Sequence, residues 1–418
     1  MKGITGATVL TVVALGSLSR ADTLTYDATD PRVGFNIWDP FRHAEDASRM
    51  VDQVNAMKAD GFSAVTFIPM AYADLTSGQI QQTWSGDNYG SISDAELSAG
   101  IQRAKQLGMR VTVTPFVESR NRSADRATIN FTTATTAGQT FWSDYASQYA
   151  HWAGVAQAAG ADKFNIGSEM TALDTNTANA ASWNNVITAA RTQFQGKLGY
   201  TAQYWTFDSA ATTSMIWQNS NIDYASLSAY LENQPQFGKP GLASLADAVG
   251  ANSSSDAFVN TVKANFTNYL NDHLLKLGDT INKPTTIGEF GIAPFDTASL
   301  TPYKWWFSSD PASPNYAPYD PQEAINTWKG ILEALDGKGM SVQEINAWVW
   351  GWQGGFPGER MQLRPGLLDD PSTTDFDESQ TAAAANFLQS YVQTIPEPAT
   401  LGLLSMAVPL LMRRPKRR

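Results

Sequence analysis

Phe164-Asn165-Ile166-Gly167-Ser168-Glu169-Met170 and Thr285-Thr286-Ile287-Gly288-Glu289-Phe290-Gly291 each carry an apolar, strand-like run directly into a glutamate. On either side of them, apolar runs alternate with amphipathic stretches along the chain, the pattern of a parallel sheet covered by helices. The strand candidates are Val33 to Ile37, Ala64 to Pro69, Arg110 to Pro115, Lys163 to Gly167, Gly199 to Tyr204, Tyr224 to Ala229, Thr285 to Gly288 and Ile345 to Trp350. The clearest helix is Thr140 to Ala159, where Phe141, Tyr145, Tyr149, Trp152 and Ala156 recur at intervals of three and four. Other helices are expected over Ala44–Ala59, Asp94–Leu107, Ser182–Phe194, Ala257–Leu277, Pro321–Leu335 and Glu378–Val392, and the connection after the fifth strand is short.

Strand-helix units in this number predict an α/β protein of the (β/α)8 TIM-barrel type, and no glycine-rich phosphate loop follows the first strand. The body is far longer than the roughly 250 residues of a typical barrel, so the surplus falls into long loops. These follow strands two, three, six, seven and eight, on the C-terminal face where such barrels carry chemistry.

The 418 residues are 43% hydrophobic and carry a net charge of -11, enough apolar matter for a large core and no basic footprint for nucleic acid. The absence of cysteine removes disulfides, thiolate metal sites and a thiol nucleophile. His43, His151 and His273 are scattered, so neither a triad nor a zinc site is read from the spacing, and no cofactor or metal is expected.

Two carboxylates at the ends of buried strands are costly unless paired, hydrogen-bonded or used. Glycoside hydrolysis uses such a pair: one carboxylic acid protonates the leaving oxygen, and in the retaining mechanism a carboxylate about 5 to 5.5 Å away attacks the anomeric carbon. Side chains from strands four and seven can face each other across a barrel mouth. Trp348, Trp350 and Trp352 alternate along strand eight and its exit, which places them on one side, in the core or in the cleft. Asn36, Trp38, Glu118, Gln203, Tyr204 and Trp205 are weaker candidates for sugar contact, each with an equally good structural reading.

At these residues the body resembles the clan A glycoside hydrolases, and more closely glycoside hydrolase family 113, known for β-mannanases. Gly108-Met109-Arg110-Val111-Thr112-Val113-Thr114-Pro115, Gly160-Ala161-Asp162, Gly167-Ser168-Glu169, Trp183 through Arg191, Gly196 and Tyr200 follow that pattern in order, continued by Asp223-Tyr224, Tyr230 and Lys283-Pro284 through Glu289. The resemblance implies Glu169 as acid/base, Glu289 as nucleophile, Tyr230 as a hydrogen-bond donor to the nucleophile, and a tryptophan of strand eight, taken as Trp350, as the floor beneath the reacting sugar. Many clan members carry Asn directly before the acid/base; here it is Ser168, a small hydroxyl residue that family 113 tolerates. The implied substrate is a neutral polysaccharide or oligosaccharide, with β-mannan ahead of β-glucan or a β-mannoside. A carbohydrate-binding barrel without turnover is the alternative from another class, since fold alone does not decide activity.

Residues 1–21 read as a signal peptide, with Lys2 ahead of an apolar run from Ile4 to Leu18, and the hydrolase domain is expected over 22–394. Residues 395–418 closely resemble the PEP-CTERM sorting signal: Pro396-Glu397-Pro398, a short apolar stretch from Leu401 to Met412, then Arg413 to Arg418. That resemblance implies export, handling by exosortase-type sorting machinery, transient membrane contact through this segment alone, and delivery to the cell surface or extracellular matrix.

Overall fold

The computed structural model describes residues 32–40, 43–231, 253–304, 311–335, 342–350, 361, 363 and 379–394. The expected leader, the expected sorting tail and Trp352 lie outside the described residues.

Eight parallel strands close into one barrel in chain order. They are β1 (Arg32–Trp38), β2 (Ala64–Ile68), β3 (Arg110–Val113), β4 (Lys163–Ser168), β5 (Lys197–Gln203), β6 (Tyr224–Ser228), β7 (Thr285–Phe290) and β8 (Val342–Ala347). Closure is made by β8 on β1, with Val33 opposite Ile345 and Phe35 opposite Ala347. The (β/α)8 expectation holds, and each strand candidate overlaps a strand, although the eighth, expected over Ile345 to Trp350, ends at Ala347.

Around the barrel run α1 (Ala47–Ala59), α2 (Asp94–Gln106), α3 (Thr136–Ala159), α4 (Ala180–Gln193), α5 (Asp256–Tyr269), α6 (Lys276–Ile281), α7 (Pro321–Leu335) and α8 (Ser379–Thr394). A wider-turned segment, Leu270–Leu275, joins α5 to α6. Helix α3 begins four residues before the apolar stripe suggests, because Thr135 caps it by accepting the Gly138 N–H at 3.0 Å. In α2 the Ser93 hydroxyl accepts the Glu96 N–H while the Glu96 carboxylate accepts the Ser93 N–H, so two otherwise unpaired donors are satisfied reciprocally. After β5 only the short helical segment Ala210–Trp217 forms. Among the described residues no helix is long and apolar enough to cross a membrane.

Alternation along the strands separates two environments. Outward residues such as Phe35, Val65 and Leu198 are wholly buried under the helices. Inward ones are largely polar: Thr66, Thr112, Thr114, Lys163, Asn165, Tyr224, Ser226, Glu344 and Asn346 surround one small cavity. Glu344 there faces the Lys163 ammonium at 3.2 Å and Arg110 at 3.6 Å, and accepts the Asn346 amide at 2.8 Å. Burial pulls Lys163 below its usual range; burial also opposes the Glu344 charge, but Lys163 and Arg110 outweigh it and hold that carboxyl low.

The chain resumes as strand just past Pro69 and Pro115. Met70–Ala73 pairs in parallel with Phe116–Ser119 and antiparallel with Ile80–Gln81. Part of what the sequence assigns to the long loops after β2 and β3 is therefore a small sheet standing beyond the barrel mouth, and Glu118 rides on it.

Candidate active site

Glu169 and Glu289 both lie where a strand of the barrel is interrupted by a bulge. The register of β4 against β5 shifts between Asn165 and Ser168, and that of β7 against β6 between Ile287 and Glu289. A bulge inserts a residue and re-aims the side chains after it, a common device beside reactive centres. Both bulges need glycine for close approach. A Cβ on Gly167 would meet the Tyr145 hydroxyl at 2.6 Å and the Tyr200 ring at 2.9 Å; one on Gly288 would meet the Ser226 hydroxyl at 2.5 Å. Glu169 itself has φ 55, a left-handed conformation uncommon for a side chain of its size. It is held by its N–H on the Thr201 carbonyl at 2.7 Å.

One cation bonds Glu169 directly. Arg126, in the turn Arg126–Thr128 after the outer sheet, donates to Glu169 Oε2 at 2.5 Å and to Glu118 Oε1 at 2.7 Å. Its guanidinium carbon stands 4.1 Å from the centre of the Phe116 ring. Burial works against the Arg126 charge, yet the carboxylates of Glu169, Glu118, Glu289 and Asp125 more than compensate and hold it well above its usual range. Glu289 accepts the Tyr230 hydroxyl at 2.8 Å. Glu169 and Glu289 are 8% and 7% exposed, nearly buried yet still in touch with solvent at the mouth.

Aromatic rings line the same mouth. Trp348 stacks on Phe116, centroids 6.1 Å apart at 11°, and meets Trp38 at 5.3 Å; Arg122 stands over Trp38 at 5.2 Å. Trp350, the residue expected as sugar floor, lies elsewhere. It is 1% exposed, packs edge-on against Phe35 and Phe62 and donates its indole N–H to Gln53 of α1 at 2.8 Å, all on the helix side of the barrel wall. The alternation argument fails because β8 ends at Ala347, before either tryptophan. Trp348 is the tryptophan of this pair that faces the mouth.

Other candidates divide. Asn36 points inward but spends its amide on the Gly288 and Ala347 carbonyls at 3.2 and 3.4 Å. Ser168 is 1% exposed, opposite Thr201, and its hydroxyl makes no hydrogen bond. Tyr204 is 2% exposed and packs edge-on against Trp205, and Gln203 accepts the Thr171 hydroxyl at 2.7 Å. Arg126 carries no signal in the sequence: one of three arginines in a long loop without periodicity, it reads as a solvated charge.

Asp296 and Asp320 of the loop after β7 and Glu323 in the first turn of α7 bring carboxylate oxygens within 4.8 Å of one another. Burial pushes Glu323 up to about 7, against the lowering effect of Ser299 and the Thr297 N–H.

A closed eight-stranded barrel with two glutamates at the C-terminal ends of β4 and β7, joined electrostatically through one arginine, defines a TIM-barrel protein of the glycoside hydrolase type. The chain belongs to glycoside hydrolase family 113, whose family model matches residues 38–324. It is thus a glycoside hydrolase, with a polysaccharide or oligosaccharide as substrate. No curated protein matches it. Among solved structures it is similar to a GH113 β-1,4-mannanase at 17% identity and TM-score 0.59, covering 85% of this chain and 98% of the other. It is also similar to the GH113 β-mannanase AaManA from Alicyclobacillus acidocaldarius, in complex with ManMIm, at 17% identity and TM-score 0.59, over 88% and 99% of the two chains. The endo-β-1,4-mannanase from Thermotoga petrophila is similar at 10% identity and TM-score 0.50, over 88% and 77%. At such identities the structural likeness speaks for the fold.

Proposed function

We propose that the protein is a retaining β-mannan hydrolase in which Glu169 is the acid/base and Glu289 the nucleophile. The observation that carries this reading is that the two carboxylates are held by different partners: Arg126 bonds Glu169 while the Tyr230 hydroxyl bonds Glu289. The nucleophile is oriented by a neutral donor and the acid/base is tethered by a cation that Glu118 also holds. In the first step Glu289 attacks the anomeric carbon, the glycosidic C–O bond breaks, and the leaving oxygen takes a proton from Glu169. In the second, Glu169 takes a proton from water, whose oxygen displaces Glu289 from the sugar. Trp348 supplies the apolar floor, and the mannan preference rests on the family.

Azide tests both roles at once. With an activated aryl β-mannobioside, Glu169→Ala should release a β-glycosyl azide and Glu289→Ala an α-glycosyl azide, because azide replaces water in the first variant and the nucleophile in the second. Hydrolysis at near-normal rate in either variant would remove the assignment, and an inverted product from the wild type would remove the retaining mechanism.

The chain ends support export as a further part of this proposal, with the leader removed after Ala21 and the Pro396-Glu397-Pro398 tail processed at the envelope. Intact-mass measurement of the exported protein tests it; both ends retained would overturn it.

A further inference from the structure

We propose that Tyr200 and Asp174 form a buried positioning pair that holds Glu169 in its working orientation. This rests on the reading of Glu169 as acid/base. A non-glycine residue in the left-handed region persists where its surroundings over-determine it. The surroundings here are specific. Directly after Glu169, the Met170 N–H donates to the Tyr200 hydroxyl at 3.0 Å, and that hydroxyl donates to Asp174 Oδ2 at 2.7 Å.

Three segments therefore meet at one oxygen: the chain leaving β4, the outer face of β5, and the single turn Thr171–Asp174. The Tyr200 ring is wholly buried, wedged between Trp183 and Trp217 at 5.4 and 5.5 Å, so its hydroxyl has little room to move. Asp174 is wholly buried too, and its other oxygen makes no hydrogen bond. A half-satisfied buried carboxyl weakens a fold. Leucine there would pack without that cost, which argues that the residue serves the reaction and not stability alone.

Burial pushes Asp174 up to about 8 and Tyr200 well above its ordinary range, so neither is ionised at neutral pH. The pair acts through geometry, not charge. Phenylalanine at 200 keeps the ring and removes both hydrogen bonds, freeing the backbone beside Glu169 to relax.

The test separates positioning of an acid from general damage. A misplaced general acid slows substrates with poor leaving groups and spares those whose leaving groups need no proton. Wild type, Tyr200→Phe, Asp174→Asn and Glu169→Ala are compared on aryl β-mannobiosides from phenyl to dinitrophenyl. Tyr200→Phe is expected to lower kcat/KM, which reports the first step alone, about tenfold to a hundredfold on the phenyl glycoside, the scale of a small misplacement. On the dinitrophenyl glycoside kcat/KM should stay within about twofold of wild type, a far smaller effect than that misplacement scale. Asp174→Asn, which keeps the volume, should shift the same way to a smaller degree, and it decides the matter if Tyr200→Phe does not fold. An equal loss across the series, or none, overturns the proposal. Glu169→Ala keeps the two failures apart: if it shows the leaving-group dependence and the Tyr200 and Asp174 variants do not, only the positioning pair falls. If Glu169→Ala shows none, or the wild type cleaves no member of the series, the underlying reading falls first and the proposal with it.

Discussion

Arg126 bonds Glu169 through one guanidinium nitrogen while the other holds Glu118, so the residue read as acid/base is tied to a loop of the outer sheet and not to the barrel alone. Replacing Arg126 by Ala should cost about tenfold to a hundredfold in kcat through loss of orientation. Lysine should recover only part of this, because a single ammonium cannot reproduce the planar two-sided fork. Steady-state kinetics on β-mannan decides; unchanged kcat in Arg126→Ala would show that the guanidinium is displaced whenever substrate is bound.

Trp348 and Trp350 should part company when mutated. Trp350→Ala removes a wholly buried ring and its bond to Gln53, and is expected to cost about 3–5 kcal/mol of stability. Trp348→Ala should leave stability closer to wild type and weaken turnover. Denaturant titration beside kinetics separates the two, and the reverse pattern would return the floor to Trp350.

Lys163 and Glu344 are buried inside the barrel, 1% and 2% exposed at the side chain. Breaking a buried pair leaves a charge without its nearest partner, so Lys163→Met should destabilise by about 3–5 kcal/mol. Replacing both, with Glu344→Leu added, should regain much of that. A double variant no better than the single one would show that Arg110 is the partner that counts.

Glu323 gives a pH signature. Burial raises its carboxyl from 4.5 to about 7, so between those values the folded chain keeps a proton that the unfolded chain has released. Its contribution to stability is then full below about 4.5, falls as pH rises to about 7, and is flat above. Glu323→Gln cannot titrate, so the difference in Tm, variant minus wild type, should rise across that window and level off beyond it. A difference that stays constant from pH 4.5 to 7 would mean that Glu323 is ionised throughout.

Residue types and their spacing were enough to reveal the barrel. Strand-to-helix alternation is a local signal, and every β strand it marks is present because each apolar run must be covered by its own helix. The glutamates of β4 and β7 were legible for the same reason: a charge at the end of a buried strand stands out against its neighbours. What could not be read were relationships between segments far apart in the chain. Arg126 gains its meaning from Glu118 on the outer sheet and Glu169 on β4, Asp174 from Tyr200 on β5, and Trp350 from Gln53 on α1. Alternation tells which side a residue faces only while the strand lasts, and β8 stops one residue before Trp348. Composition and order along the chain determined the fold and the two acids. Which cation, phenol and indole surround them was decided by tertiary packing, because hydrogen bonds and ion pairs depend on distance in space, which order along the chain does not encode.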